Sequence, residues 1–265
     1  MRLISLAAGV LPEHPPETVV EAGAEAGFRA VGLRIDGQEW SAERLAALSG
    51  RIEELGLIVL DAEVLWIRAG DPVERLLELV DVAVALKARN LLVVSSDPDP
   101  HATAGIFAAI CDRAKPAGLS VSLEFGHFSA VHRLADAAAI VGEAGWSNGH
   151  VLIDPLHLSR SLGTPDDVAS LPPALFHYAQ FCDAGADAPQ PDDVPAIREE
   201  ALDGRLMPGD GILPLQFLLR SLPPGLPLSV ELRSRALRDA HPDPVARARH
   251  VRERTEAWLA AHDAV

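Results

Sequence analysis

The 265-residue sequence predicts a single (β/α)8 TIM barrel, and three observations favour that fold. Eight short apolar runs alternate with segments of helical periodicity along the whole chain. The runs are apolar enough to be buried on both faces, as strands of a parallel sheet are. No GxGxxG motif follows the first run, which disfavours an open doubly wound sheet. We therefore expect one barrel domain over residues 1–265.

The first half of the chain carries clear start and stop signals for helices. Pro15 and Pro16 open the first helix, which stops at Gly27; Ser41 caps the second helix and Asp71 the third. The third helix is expected to stop near Asn90. The first four strands are predicted at residues 2–8, 30–35, 57–62 and 91–96, with residues 63–71 as the loop after the third.

The second half continues the alternation. Helices are expected to begin near Pro100 and Ser129, a short one follows residue 194, another covers residues 213–222, and the last runs from Pro244 to Ala261. Strands are predicted at residues 119–125, 151–154, 175–183 and 228–234. Residues 184–194 form a proline- and acid-rich loop, and long irregular segments in compact domains are usually functional or mobile.

Composition excludes several classes of function. A net charge of −15 and a pI near 5.0 argue against a broad basic surface for nucleic acid or anionic membrane. No apolar run approaches the roughly 20 residues of a membrane span, and the N-terminal residues fit a first strand better than a signal peptide. Cys111 and Cys182 have no CxxC partner, which indicates reduced buried thiols. These features predict a cytoplasmic protein.

Four predicted strands end in an oxygen-bearing side chain: Glu124, Asp154, Gln180 and Glu231. Each residue alone is more often a helix cap or an ion-pair partner. Together, at the carboxyl ends of four successive barrel strands, three carboxylates and an amide would repel one another without a cation. An all-oxygen ligand set favours one divalent ion such as Mg²⁺, Mn²⁺ or Co²⁺, with Zn²⁺ less favoured without a histidine ligand.

His157 follows Asp154 by three residues and is a candidate general acid or base, since neutral imidazole suits that role near pH 7. A structural histidine is the alternative. Arg205 precedes the glycine turn at 208–211, which is suited to fixing a loop over a pocket. The remaining candidate substrate-binding residues are Arg34, Arg68, His127 and Arg233. Arg34 and Arg233 could equally form ion pairs at the barrel rim, and His127 could pack under a loop.

The segments SLEF, LIDPLH, AQFCDA and SVELR, which contain the four candidate ligands, resemble the xylose-isomerase-like TIM barrels across nearly the whole chain. That family includes sugar-phosphate isomerases and epimerases, inosose dehydratase and 3-dehydroshikimate dehydratase. The resemblance implies that the four residues bind the metal and that the reaction removes a proton next to a carbonyl, the metal stabilising the enolate. Many epimerases have histidine at the third ligand position, so Gln180 points away from them but not from isomerases.

Three further segments, QFCDA, RLMPGDGILPL and LWIRAGD, resemble the 3-dehydroshikimate dehydratase branch. The resemblance implies that Arg68 and Arg205 grip a substrate carboxylate or oxyanion and that His157 lies beside the reacting carbon. It also allows Glu124 and Glu231 to relay protons. Arg34 departs from the family, which usually has an acid on the second strand, and so does the segment LRSRALRD after the last strand.

The sequence thus predicts a metal-dependent dehydratase for a small anionic or polyhydroxylated keto substrate. A sugar or hydroxy-ketone isomerase or epimerase with the same enolate chemistry is the close alternative. A nuclease-like barrel resembling endonuclease IV would need a zinc-binding histidine cluster and a basic surface, which the ligand set and charge disfavour. A non-catalytic barrel is a remote alternative, and association into a homo-oligomer is left open.

Overall fold

Eight parallel strands form a nearly closed barrel in the computed structural model, which describes residues 2–190 and 192–262. Neighbouring strands follow the order β6-β5-β4-β3-β2-β1-β8-β7. The barrel closes between β6 and β7, where Ile153 pairs with Ala179. The carbonyl of Ile153 accepts a hydrogen bond from the N–H of Gln180 at 2.9 Å. The predicted (β/α)8 barrel is confirmed. The strands are β1 (Ile4–Leu6), β2 (Ala30–Arg34), β3 (Ile58–Ile67), β4 (Asn90–Ser95), β5 (Ser120–Glu124), β6 (Gly149–Leu152), β7 (Ala179–Gln180) and β8 (Leu228–Val230).

Eleven α-helices lie between and after these strands in the described part of the chain. They are α1 (Pro16–Ala26), α2 (Ala42–Glu54), α3 (Val73–Ala85), α4 (Pro100–Ala114), α5 (Leu134–Ala144), α6 (Pro155–Arg160), α7 (Pro165–Ala169), α8 (Val194–Asp203), α9 (Leu215–Ser221), α10 (Arg235–Ala240) and α11 (Pro244–His262). The start and stop signals of α1 and α2 act as expected. Gly27 ends α1 in the left-handed region at φ 87°, and the Ser41 hydroxyl accepts from the N–H of Arg44 at the start of α2.

The third strand is longer than predicted. The expected loop at residues 63–71 is wrong over its first five residues, because β3 continues to Ile67 and pairs with β2 as far as Glu63 and with β4 as far as Ile67. The apolar side chains of Leu65 and Ile67 are fully buried and hold this extension against the core. The extra length brings Glu63 and Trp66 onto the barrel wall.

Other boundaries also move. The strand predicted at 175–183 is reduced to β7, because a 3-10 turn precedes it and Asp183 pairs antiparallel with Leu206 after it. The helix expected near Ser129 begins at Leu134, since the Ser129 hydroxyl donates to two carbonyls and closes a loop instead. Pro72, not Asp71, occupies the N-cap position of α3 and makes no side-chain capping hydrogen bond; the helix ends at Ala85 instead of near Asn90.

Apolar side chains fill two regions of the fold. The larger cluster lies between the strands and the surrounding helices, and a smaller one lies inside the barrel around Leu60, Leu92 and Tyr178. Among residues 2–190 and 192–262, no helix has both the length and the apolar character needed to cross a membrane.

Candidate active site

The carboxyl ends of the strands surround a cavity of about 560 Å³. Glu124 ends β5, Gln180 ends β7 and Glu231 directly follows β8, and all three side chains line this cavity. Asp154, two residues after β6, is fully buried in contact with Gln180. The fold therefore brings the four residues predicted as metal ligands to one end of the barrel, where parallel βα barrels place their active sites.

Gln180 lies between two of the carboxylates. With its amide nitrogen turned toward them, it donates to Glu124 Oε1 at 2.8 Å and to Asp154 Oδ2 at 2.9 Å. Turned the other way, its amide oxygen faces the same two oxygens, an arrangement that only a cation among them would stabilise. The side chain can thus satisfy the carboxylates in the absence of a metal or join them as a ligand.

Arg205 neutralises Asp154. Its Nη1 donates to Asp154 Oδ2 at 2.5 Å and lies 3.1 Å from Cys182 Sγ, while its Nε donates to the carbonyl of Ala201 at 3.0 Å. Burial is the largest single influence and opposes ionisation of Asp154, but the charge and hydrogen bond of Arg205, together with the charge and backbone N–H of His157, hold the pKa of Asp154 below its ordinary value. Arg205, which sequence predicts as a substrate-binding residue, is therefore already engaged by a ligand-type carboxylate.

The turn after Arg205 is fixed to the end of β7. Asp183 is buried, and its Oδ2 accepts from the N–H groups of Gly209 at 3.0 Å and Gly211 at 3.1 Å. Its Oδ1 accepts from the N–H of Leu213 at 2.9 Å. One carboxylate thus satisfies two backbone donors of the predicted glycine turn and one that follows it, which restrains the segment that carries Arg205.

His157 lies in the first turn of α6, a helix that the sequence does not predict. Asp154 caps this helix by accepting from the N–H of His157 at 3.0 Å. His157 Nε2 lies 3.3 Å from Arg205 Nη2 and 4.0 Å from Glu124 Oε1. A guanidinium only donates, so Nε2 accepts and the neutral ring carries its proton on Nδ1. Burial lowers the pKa of His157 to about 4; the charge of Asp154 opposes this shift and Arg205 adds to it.

The wall formed by β3 and β8 carries acids that sequence reasoning missed. Asp61 and Glu63 lie on β3 and are buried, and Glu63 lines the cavity with Glu231 and Glu124. The sequence did contain a signal for them: Asp61 and Glu63 are two residues apart, and positions i and i+2 of a strand point to the same face. The sequence interpretation ended the strand at Ala62 and so placed Glu63 in a loop.

These acids lack the compensation that Arg205 supplies to Asp154. Burial, followed by the charges of Glu231 and Asp61, raises the pKa of Glu63 well above its ordinary value. Burial also raises the pKa of Asp61 to about 7, against a hydrogen bond from Ser229 and with a smaller contribution from Glu231. Asp61 therefore exchanges a proton near neutral pH, and Glu63 binds its proton more tightly than an exposed carboxyl does.

Glu231 occupies space that only glycine leaves free. A Cβ on Gly9, in the 3-10 turn after β1, would lie 2.1 Å from Glu231 Oε1. Oε2 of Glu231 is buried and has no hydrogen-bond partner among the described residues, and Oε1 lies 3.3 Å from Nε of Arg233. A buried carboxylate oxygen without a partner is costly unless a ligand completes the site.

Five arginines line the cavity: Arg34, Arg68, Arg198, Arg205 and Arg233. Arg34 forms a bidentate pair with Asp36, and Arg68 stacks over Trp66 with its Nη1 4.0 Å from Asp71. Sequence analysis missed Arg198, whose position on α8 becomes informative only once that helix is placed beside the cavity.

His127 lies apart from the cavity lining. Its ring is 5.5 Å from that of His132, and burial together with the charge of His132 lowers the pKa of His127. The aromatic side chains that do line the cavity are Trp66 and Phe128, whose ring centroids are 6.2 Å apart. They form an apolar wall beside His157, and the Phe128 ring lies 4.5 Å from the imidazole.

The residues present fit a divalent metal. Glu124, Asp154 and His157 each offer one ligand atom, and these atoms lie within 4.8 Å of one another. The orphaned oxygen of Glu231 and the oxygen of Gln180 could complete the set. The imidazole makes zinc more compatible with the site than the sequence alone indicated, beside the hard ions that prefer oxygen ligands.

The chain is similar to several solved structures of one fold. A xylose isomerase domain protein from Alicyclobacillus acidocaldarius is 27% identical (TM-score 0.75; 98% of this chain and 99% of that one). An IolI protein with a bound zinc atom is 14% identical (TM-score 0.83; 99% of each). A probable 3-DHS dehydratase, AsbF, from Bacillus anthracis is 16% identical (TM-score 0.70; 94% of this chain and 97% of that one). In a further match, a fusion of such a barrel with a 4-hydroxyphenylpyruvate dioxygenase, this chain spans 44% of the longer protein.

A search of curated protein sequences finds no match. The family model for the xylose isomerase-like TIM barrel matches residues 20–259, which is most of the chain. The chain therefore belongs to the xylose isomerase-like TIM barrel family.

Proposed function

We propose that this protein is a divalent-metal-dependent dehydratase that acts on a small polyhydroxylated keto acid. The observation that carries the proposal is the convergence of Glu124, Asp154, Gln180 and Glu231 at the base of a cavity whose mouth is lined by arginines. Similarity of the fold to a probable 3-DHS dehydratase supports the choice of reaction. The reaction would remove a proton next to a ketone and expel the β-hydroxyl as water.

Glu124, Asp154, Gln180 and Glu231 would hold the metal, with His157 within reach as an imidazole ligand. A bound divalent ion would supply Lewis acidity to the substrate carbonyl and stabilise the negative charge of an enolate. Manganese, magnesium and cobalt suit the oxygens, and zinc suits the set once His157 joins it. The zinc atom bound to the IolI protein of the same fold supports including zinc in the test.

Glu63 is the best placed residue to accept the substrate proton. Its buried carboxyl lines the cavity beside Glu124 and Glu231, and a bound cation would offset the burial and the neighbouring charges that raise its pKa, so that it could accept a proton. His157 also lines the cavity, but its Nε2 already accepts from Arg205. We assign His157 to holding the substrate through its Nδ1–H. Binding a metal or transferring a proton through Nε2 would require Arg205 to move away from it.

The apolar wall and the buried ion pair prepare the cavity for this chemistry. Trp66 donates to the Ser96 hydroxyl at 2.7 Å, which fixes its indole beside Phe128. These rings limit the water around an enolate. Arg205 keeps Asp154 ionised before a ligand binds, so the charge of that carboxylate is present in advance.

The direct test incubates the purified full-length protein with 3-dehydroshikimate and Mg²⁺, Mn²⁺, Co²⁺ or Zn²⁺, and follows the ultraviolet absorbance of an aromatic product. We expect absorbance that depends on the added metal and disappears with a chelator. Turnover of a ketose panel without any aromatic product would replace dehydration by isomerisation or epimerisation. Absence of metal binding by the wild type would remove the basis of both reactions.

A further inference from the structure

One arginine at the mouth of the cavity has no acidic partner among residues 2–190 and 192–262. Arg34 pairs with Asp36, Arg233 with Glu231 and Arg205 with Asp154, and Arg68 lies 4.0 Å from Asp71. The fifth lining arginine, Arg198, has neither an ion pair nor a side-chain hydrogen bond within the described residues. All the donors of its guanidinium are thus left for a ligand, and, unlike Arg68, it has no carboxylate within 4.0 Å among the described residues.

Arg198 reaches the cavity because of its place on α8. Arg198, Ala201 and Leu202 all line the cavity and are spaced i, i+3 and i+4, which is one face of a helix. Ile197 and Ala201 are buried and pack the helix onto the barrel. The exposed Arg198 therefore stands at the outer end of the cavity, on a helix that is held in place by its own buried residues.

The cavity is polarised along its depth. Glu63, Glu124 and Glu231 are buried at its base, whereas Arg68 and Arg198 are exposed at its mouth. A substrate that carries a carbonyl at one end and a negative charge at the other fits this polarity. The carbonyl would lie at the metal site of the base, and the charged end would be attracted by the arginines of the mouth.

We propose that Arg198 binds the carboxylate of the substrate and thereby sets the specificity of the cavity for keto acids over neutral sugars; this rests on the function proposed above. One guanidinium offers two parallel donors that match a carboxylate. Asp36 and Asp71 at the same rim disfavour a dianionic phosphate. The role that the sequence assigned to Arg205 belongs to Arg198, because Asp154 engages Arg205.

The test compares binding of shikimate, which has a carboxylate but no ketone, with binding of its uncharged methyl ester by calorimetry in the presence of Mn²⁺. We expect the wild type to prefer the carboxylate by about 10-fold or more, the range of a charge-assisted hydrogen bond pair. Arg198→Gln should abolish the preference, and Arg198→Lys should retain part of it. Arg249→Gln, at an exposed position on α11, is the matched control and should bind as the wild type does.

Each outcome decides the proposal. An unchanged preference in Arg198→Gln, or a wild type without any preference, would overturn it. Stronger competition by inorganic phosphate than by shikimate would overturn the assignment to a carboxylate. Arg198→Gln has no described partner to lose, so its unfolding midpoint should match the wild type.

Turnover separates this proposal from the dehydratase reaction. Arg198-dependent binding of shikimate without any aromatic product from 3-dehydroshikimate would refute dehydration and leave the carboxylate site standing. Aromatic product formed with the same KM by the wild type and Arg198→Gln would refute the carboxylate site and leave dehydration standing. If both hold, the substitution should raise KM for 3-dehydroshikimate more than it lowers kcat.

Discussion

The two walls of the cavity carry the same kind of side chain but differ in whether a buried cation lies beside it. On the β5–β7 wall, Asp154 is ionised because Arg205 lies 2.5 Å away, and Gln180 bridges it to Glu124. On the β3–β8 wall, Asp61 and Glu63 are buried near Glu231, and the cations that act on this cluster are the half-buried Arg233 and the exposed Arg34, which is paired with Asp36. On the first wall only Asp154 has a buried counter-ion, since burial and the charge of Asp154 raise the pKa of Glu124 well above its ordinary value. The second wall depends on protons or a cation for all of its acids. Burial alone therefore does not decide the state of a carboxylate; the nearest fixed charge does.

The largest effect should come from removing the cation of the β5–β7 wall. Arg205→Met would leave Asp154 buried without its counter-ion, and we expect the free energy of unfolding to fall by about 3–5 kcal/mol. Urea denaturation measures it. Arg233→Met, on the other wall, is the matched control and should cost less, since Arg233 is partly exposed. Adding Asp154→Asn should recover much of the loss from Arg205→Met; no recovery would contradict the ion-pair explanation.

The next effect is a pH dependence of the β3–β8 wall. The pKa of Asp61 is about 7 in the fold and near 3.8 in the unfolded chain, so the fold binds the proton more tightly. The tighter proton binding contributes its full stabilisation of the fold below about pH 4, where Asp61 is protonated in both states. That contribution is lost as the pH rises through 7, where Asp61 ionises in the fold. In the metal-free wild type, the free energy of unfolding should be lower at pH 8 than at pH 5 by an amount on the order of 3 kcal/mol, because Asp61 ionises in the fold. Urea denaturation at the two pH values measures this difference, and Asp61→Asn should lack it. If the wild type and Asp61→Asn lose the same free energy of unfolding between pH 5 and pH 8, Asp61 does not titrate in this range.

Metal affinity should depend on both walls. Glu124→Gln and Glu231→Gln remove one carboxylate from each wall, and we expect each to weaken Mn²⁺ binding by about 100-fold, measured by calorimetry. If Glu124→Gln weakens Mn²⁺ binding and Glu231→Gln does not, the ion is bound by the β5–β7 wall, and Glu231 is not one of its ligands. Glu200→Gln, a carboxylate paired with Arg160 outside the cavity lining, serves as the control.

The smallest effect should follow from crowding Glu231. Gly9→Ala places a methyl group against Glu231 Oε1, and because the end of that side chain can shift, we expect about 1–2 kcal/mol of destabilisation. Mn²⁺ affinity should fall by about 10-fold at the same time, since a displaced ligand weakens binding. Gly50→Ala in α2, which has nothing within 4 Å, is the control and should stabilise the helix slightly. Unchanged affinity in Gly9→Ala would mean that Glu231 is not held as the structure indicates.

Sequence reasoning recovered the barrel and the residues at the ends of the later strands. Alternating apolar runs and helix signals such as Ser41 and Gly27 are local, so they can be recognised without the fold. It failed where the outcome depended on partners elsewhere in the chain. The extension of β3 to Ile67 requires pairing with β2 and β4, and it left Glu63 unrecognised. The short α6 was missed because its cap, Asp154, was interpreted only as a ligand.

The sequence by itself determined the (β/α)8 barrel and the four polar residues at the ends of β5, β6, β7 and β8, because strand order and side-chain type are written along the chain. Only the tertiary structure decided which charges meet. Arg205 and Asp154 are 51 residues apart, and nothing in their local sequence indicates that they form a buried pair. That pairing engages Arg205 and leaves Arg198 free for a ligand, because the energy of a charge depends on its distance to other charges and on burial, both of which arise when the chain folds.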